Sequence, residues 1–325
     1  MYYCLGHQIE DEFWKEKFMA GYLFVHFIGE QKDGEQIYFS LSRDGLHFQD
    51  LNHGNPVLYS KTGTLGVRDP FPVRDPETGR FYLIATDLRI GSGTSWEDAQ
   101  ERGSRDLIVW ESGDLVHWST ERACTVGIPK AGCVWAPEAV FDKEKGEFLV
   151  FFASMVRNQG DVLGKQRIYG AYTRDFREFS ETFLYMEREN HVIDTTILES
   201  GGRYYRLSKD ETEKVLILET AESLQGEFVR IDSPVLAELK GVEGPEGYLL
   251  PDGQTWCVIA DQFAAGKGYL PMLTQDLGSG SFEILTPEQY DMGETKKRHG
   301  GILPITDEEY ERLWAAFLSP DEKRR

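Results

Sequence analysis

The chain has 325 residues, 40% hydrophobic and 13% aromatic, with a formal net charge of −20 at pH 7. That apolar content argues against intrinsic disorder, and so acidic a balance disfavours nucleic acid or an anionic membrane as partner, since either would be repelled. No run reaches the roughly 18 apolar residues of a membrane-spanning helix.

Met1–Ala20 lacks a basic start followed by an apolar stretch, so no secretory leader is read there and a cytoplasmic location is expected. Ile9–Phe18 reads as a short amphipathic segment within an N-terminal extension over residues 1–21. The first strongly apolar strand is Tyr22–Ile28, followed by Ile37–Phe48, a strand, a polar turn carrying Asp44 and a closing aromatic. The same unit recurs at Leu107–Trp118 and Ile168–Phe179, and more loosely at Val215–Phe228 and Tyr269–Phe282. Ahead of the later copies lie the apolar strands Phe81–Thr86, Phe148–Ala153, Tyr204–Leu207 and Trp256–Ala260.

Between consecutive units a polar motif opens another apolar run: Val67-Arg68-Asp69-Pro70-Phe71, Val134-Trp135-Ala136-Pro137-Glu138, Val192-Ile193-Asp194-Thr195-Thr196 and Glu243-Gly244-Pro245-Glu246. Arg298-His299-Gly300-Gly301 is the fifth. Four strands in each of five units predict an all-β, five-bladed β-propeller over residues 22–305, rather than two packed sandwiches. The first unit lacks its own inner strand, so the run Gly300–Ile305 is expected to close the ring. Thr306 and Glu309 then form a capping box for a helix within residues 306–325 whose Tyr310, Leu313, Trp314, Phe317 and Leu318 share one face. The scattered Cys4, Cys124, Cys133 and Cys257 read as reduced thiols without disulfide or zinc spacing.

Inner strands of a propeller run along its central channel, so Asp69, Trp135, Asp194, Glu243 and His299 are expected at one equivalent position per blade, gathered at one end. Three carboxylates in one pocket repel one another and are partly desolvated, which raises at least one pKa and sets a proton donor beside an acceptor. Glycoside hydrolysis needs that pairing. An odd spacing of three in an extended strand would turn Glu246 and Glu138 to the opposite face from Glu243 and Trp135. Trp135 reads equally well as a sugar platform or a core residue. Arg68, Asp87, Ser154, Arg167, Lys209 and Arg298 are candidate substrate contacts near the same rim. The Gly-Ser-Gly stretches at Gly91 and Gly278 lack the context of a nucleophile elbow or phosphate loop.

The order of these motifs resembles glycoside hydrolase family 43, five-bladed propeller enzymes that remove arabinofuranosyl or xylosyl units with inversion. The resemblance covers residues 22–305 and implies Asp69 as general base, Asp194 as the residue that tunes pKa and orientation, and Glu243 as general acid. On that mapping, Asp194 would keep Glu243 protonated by like-charge repulsion. It also implies that His299 helps hold a central calcium or sodium ion, or a water, with no organic cofactor. Two departures stand out: Asp194 is followed by Thr195 rather than proline, and Asp69 is preceded by Arg68, as in the related invertase-like propellers. Since Tyr22–Ile28 carries no acidic nucleophile motif, the inverting reading is kept. The expected partner is an arabinose-containing oligosaccharide, with β-xylosidase, galactofuranosidase and a non-catalytic sugar-binding propeller as alternatives. The sequence specifies no oligomeric state.

Overall fold

A computed structural model describes residues 20–318, so the expected segment Ile9–Phe18 and Cys4 lie outside the described residues. Twenty strands form five four-stranded antiparallel sheets arranged as the blades of a β-propeller. Blade 1 comprises β1 (Gly21–Phe27), β2 (Tyr38–Ser42) and β3 (Gln49–Asp50), with β20 (Arg298–Ile305) as its inner strand. Blade 2 runs outward through β4 (Val67–Arg74), β5 (Phe81–Asp87), β6 (Asp106–Ser112) and β7 (Arg122–Thr125). Blade 3 follows with β8 (Trp135–Asp142), β9 (Glu147–Val156), β10 (Lys165–Thr173) and β11 (Phe183–Met186). Blade 4 is β12 (Val192–Ser200), β13 (Arg203–Asp210), β14 (Val215–Ala221) and β15 (Val229–Ile231). Blade 5 is β16 (Glu243–Leu249), β17 (Trp256–Asp261), β18 (Tyr269–Thr274) and β19 (Glu283–Ile284).

The second strand of a blade is apolar throughout because both of its faces are covered by neighbouring blades. In β9, Phe148, Val150 and Phe152 enter the cluster shared with blade 2, while Leu149, Phe151 and Ala153 enter the one shared with blade 4. In β17 the same period of two sends Val258 and Ala260 toward blade 4, and Cys257 and Ile259 toward blade 1. One such cluster fills each of the five blade interfaces. The repeated turn also has a local cause. Ser42, Ser112 and Thr173 hydroxyls accept from the backbone N–H three residues on. Asp44 and Asp114 then accept from two backbone N–H groups of the same turn.

The ring closes as expected: β20 pairs antiparallel with β1, from Gly21 opposite Ile305 to Phe27 opposite Arg298. Gly300 is needed there, because a Cβ would lie 2.1 Å from the Val25 carbonyl oxygen. Beyond β20, Asp307–Phe317 forms a helix with the Thr306–Glu309 capping box, and buries Tyr310 and Leu313 against blades 1 and 2.

Candidate active site

Every inner strand carries one extra residue at the same height. The ladder passes from Arg68 opposite Thr86 to Phe71 opposite Ile84, and from Trp135 opposite Ala153 to Glu138 opposite Phe151. The matching shifts occur between Ile193 and Thr195, between Glu243 and Glu246, and where β1 meets β20 around His299. Four of the bulge residues sit in the left-handed region: Asp69 (φ 49°), Ala136 (46°), Asp194 (47°) and Gly244 (52°). For a residue with a Cβ such a conformation costs about 1–3 kcal/mol and persists only where the surroundings enforce it.

Two expectations change here. Trp135 and Glu243 stand one residue before the bulge, level with Arg68, Ile193 and Arg298, whereas Asp69, Asp194 and His299 occupy the bulge itself. The five motif residues therefore form two tiers rather than one ring. The extra residue also resets the period of two, so Glu138 and Glu246 are not turned away from the axis. They come from non-adjacent blades and are both buried outside the pocket lining. Burial and the nearby Glu246 hold the Glu138 carboxyl well above the usual range, and burial pushes Glu246 up to about 8.

The site is a pocket of about 420 Å³. It is lined by Asp69, Asp194, Glu243, Trp135, His299, Arg68, Lys209 and Arg298, all eight named from sequence. The bulges release backbone N–H groups from the ladders and aim them inward. Gly244 N–H donates to Asp194 Oδ2 (3.1 Å). Ala136 N–H donates to Thr86 Oγ1 (2.8 Å), and that hydroxyl donates to Asp69 Oδ2 (2.9 Å). His299 Nδ1 stands between the two aspartates, 3.5 Å from Asp69 Oδ1 and 3.8 Å from Asp194 Oδ1.

Glu243 is gripped by two cations. Lys209 Nζ donates to Oε2 (2.8 Å) and Arg298 Nη2 to Oε1 (2.9 Å). Burial alone would raise this carboxyl, but Lys209, then Arg298 and His299, hold it below its ordinary value. Asp194 behaves oppositely: burial lifts it to about 6, with Glu243 and Asp69 adding to the rise against His299 and Lys209. The expectation that Asp194 keeps Glu243 protonated is thereby corrected. Direct contact with two cations outweighs repulsion from a neighbouring carboxyl, so the shared proton favours Asp194.

Arg68 faces the pocket, but its guanidinium is engaged by Glu30 (2.8 Å) and Glu35 (3.0 Å). Asp87, Ser154 and Arg167 lie outside the pocket lining, which corrects their expected role as substrate contacts. Asp87 accepts from the Thr64 backbone and hydroxyl, Ser154 donates to the Cys133 carbonyl, and Arg167 is buried against Asp161 and Glu187. Asp87 ends its strand and Ser154 and Arg167 lie within two residues of an end of theirs, where they brace loops rather than line the pocket.

Sequence reasoning missed Glu30, Leu88, Trp96, Gln100, Ile193, Glu211 and Phe263, which complete the wall. A usable signal was the connection 88–105, the longest between second and third strands. Its short helix Trp96–Glu101, capped by Ser95, carries Trp96 edge-on to Trp135 at a centroid distance of 6.0 Å. Among the described residues no three His, Cys, Asp or Glu side chains are grouped as ligands for a metal ion.

A family model described as "Probable glycosyl hydrolase domain", related to glycoside hydrolase family 43, matches residues 17–311. An α-L-arabinofuranosidase of Bifidobacterium longum subsp. longum is 30% identical over 290 residues, covering 75% of this chain and 27% of that protein. The chain thus spans about a quarter of that relative's length. Among solved structures, a family-43 β-1,3-galactosidase bound to galactodeoxynojirimycin aligns with a TM-score of 0.56 at 12% identity, over 84% of this chain and 92% of that one. A Cellvibrio cellulosa α-L-arabinanase complexed with arabinohexaose aligns with a TM-score of 0.55 at 13% identity, over 85% and 96%. At such identities these two establish the shared fold alone. With the family match spanning nearly the whole chain, this protein belongs to the glycosyl hydrolase family related to glycoside hydrolase family 43.

Proposed function

We propose that the protein releases L-arabinofuranosyl units from arabinan or arabinose-containing oligosaccharides by inversion, with Asp69 as general base and Glu243 as general acid. The observation that carries this reading is the convergence of Asp69, Asp194, Glu243 and His299 in one pocket walled by Trp135. The arabinofuranosidase relative favours the sugar. A pocket of about 420 Å³, near the small end of ligand sites, suits one terminal sugar. Asp69 would deprotonate a water on one side of the sugar while Glu243 protonates the departing oxygen on the other. Asp194, hydrogen-bonded to the bulge at Gly244 beside Glu243, takes up a proton before Glu243 does as the pH falls. Catalysis draws on the minor form in which Glu243 carries it.

This arrangement has a pH signature. A general acid works only while protonated, so activity falls as pH rises through its pKa. Lys209 is the largest influence lowering that pKa. Lys209→Met removes it, raises the Glu243 pKa, and is expected to move the alkaline limb of kcat/KM to higher pH. Rates measured across pH for both proteins check this, and an unmoved limb would remove Lys209 from control of the acid.

The sugar is tested by hydrolysis of nitrophenyl α-L-arabinofuranoside, β-D-xylopyranoside, β-D-galactofuranoside and β-D-galactopyranoside. The arabinofuranoside is expected to be cleaved with kcat/KM at least about tenfold above the others, the discrimination of one lost sugar contact. Preference for another member of the panel would transfer the same machinery to that sugar. Hydrolysis of none, with an oligosaccharide panel equally inert, would leave a sugar-binding propeller.

A further inference from the structure

Lys297 stands directly before β20, outside the pocket lining, with its side chain fully buried. We propose that it is a positioning residue for the general acid: its pair with Asp50 latches the closing blade and fixes where Arg298, one residue on, meets Glu243. The inference rests on the hydrolytic reading above and adds to it a residue that acts through another without facing the sugar.

All four strands of blade 1 meet in the latch, three through side chains and β20 through the residue that leads into it. Lys297 Nζ donates to Asp50 Oδ1 on β3, and to the Thr295 carbonyl and hydroxyl (both 3.1 Å). Ser40 on β2 donates to the same carboxylate oxygen (2.8 Å) and accepts from His26 Nε2 on β1 (3.0 Å). Asp50 Oδ2 accepts from the Thr295 backbone N–H (2.6 Å). Burial alone would raise the Asp50 carboxyl, but Lys297 holds it below its ordinary value. The segment before Lys297 is fixed to the same edge. Asp291 N–H donates to the Leu46 carbonyl (2.9 Å), and Phe48 N–H to that of Asp291 (2.7 Å). Gly293 allows the approach, because a Cβ there would lie 2.9 Å from both Asp50 Oδ1 and Lys297 Nζ.

The consequence falls on the acid. Residues 285–297 cross from the outer strand of blade 5 to the inner strand of blade 1, and Arg298 is the first residue they deliver. Arg298 holds Glu243 Oε1 (2.9 Å) and Asp261 Oδ2 (2.6 Å), both on blade 5. Its main chain belongs to blade 1, where it pairs with Phe27. The grip on the acid therefore spans the junction at which the ring closes, and a shift of blade 1 against blade 5 would move the guanidinium off Glu243. A buried ion pair is often no more stabilising than apolar residues of similar volume, but it confines the ammonium to one place. Register, rather than stability, is what Lys297 and Asp50 contribute.

Lys297→Met combined with Asp50→Asn removes both charges at once, so neither is stranded, and the thermal transition should stay within about 5 °C of wild type. Its kcat on an arabino-oligosaccharide should nevertheless fall by about tenfold, while a dinitrophenyl arabinofuranoside, whose leaving group needs no proton, stays within about twofold. Loss of folded protein alone would lower both rates together. Thr295→Val keeps the ion pair and deletes one acceptor of Lys297, and should shift the ratio of the two rates the same way by about threefold. An unchanged ratio in the double variant, through equal loss or none, would make the latch purely structural and overturn the proposal, with the hydrolytic reading untouched. Should the double variant fail to fold, the ratio in Thr295→Val decides in its place. A wild type that cleaves neither substrate would overturn the hydrolytic reading on arabinofuranosides, and the positioning role with it.

Discussion

Asp69→Asn is expected to lower kcat/KM by about 10²- to 10⁴-fold for every substrate, whatever its leaving group, with the fold intact. The amide matches the carboxylate in shape and its oxygen can still accept from Thr86 Oγ1, which holds Asp69 Oδ2 at 2.9 Å. Asn is also among the residues that tolerate the left-handed conformation Asp69 adopts at φ 49°. What the variant loses is the ability to take a proton from water. Attack on the sugar is required for good and poor leaving groups alike, so the deficit does not depend on the aglycone. An unchanged thermal transition beside the collapsed rate separates this chemical loss from damage to the bulge. A loss under tenfold would remove Asp69 as base.

Glu243→Gln should behave differently, because the acid matters only where the leaving group needs a proton. For a sugar leaving group the expected loss is again about 10²- to 10⁴-fold. For a dinitrophenyl glycoside, whose phenolate departs unprotonated, the rate should stay within about tenfold of wild type. The substitution also removes the counter-charge from Lys209 and Arg298, which now hold the carboxylate at 2.8 and 2.9 Å. Their pairs with Glu211 and Asp261 remain, so neither cation is stranded.

The blade architecture was legible because its causes are local. Runs such as Phe148–Ala153 are apolar on both alternate stripes, and only a strand covered on two sides needs that. The Ser/Thr-x-Asp turns around Asp44 and Asp114 recur because each caps its own backbone. The closing strand followed from counting: one unit lacked an inner strand and one inner motif was left over. The site was legible in membership but not in register. Nothing in Arg68-Asp69-Pro70 or Trp135-Ala136-Pro137 announces that the middle residue has a positive φ, since most Asp and Ala residues never adopt one. One bulge per inner strand therefore displaced Trp135 and Glu243 from the tier of Asp69, Asp194 and His299, and brought Glu138 and Glu246 to the axis.

Electrostatics were less legible still. Lys209 and Arg298 reach Glu243 across gaps of 34 and 55 residues, contacts that only the ring creates. Without them a third carboxylate is correctly expected to raise a neighbour's pKa, but the wrong neighbour is chosen. Asp87, Ser154 and Arg167 failed for a related reason. Position at a strand end brings a residue near the rim, and its partners then decide which way the side chain faces. Trp96 belongs to an insertion with no counterpart in the other blades, so the repeat itself could not point to it.

The central claim, that Asp69 and Glu243 divide the chemistry as base and acid, is tested most directly by comparing Asp69→Asn and Glu243→Gln on a dinitrophenyl arabinofuranoside and on an arabino-oligosaccharide. The account predicts that the activated leaving group restores Glu243→Gln to near wild-type rates and leaves Asp69→Asn inactive. Equal loss in both variants on both substrates, or restoration of Asp69→Asn instead, would contradict it.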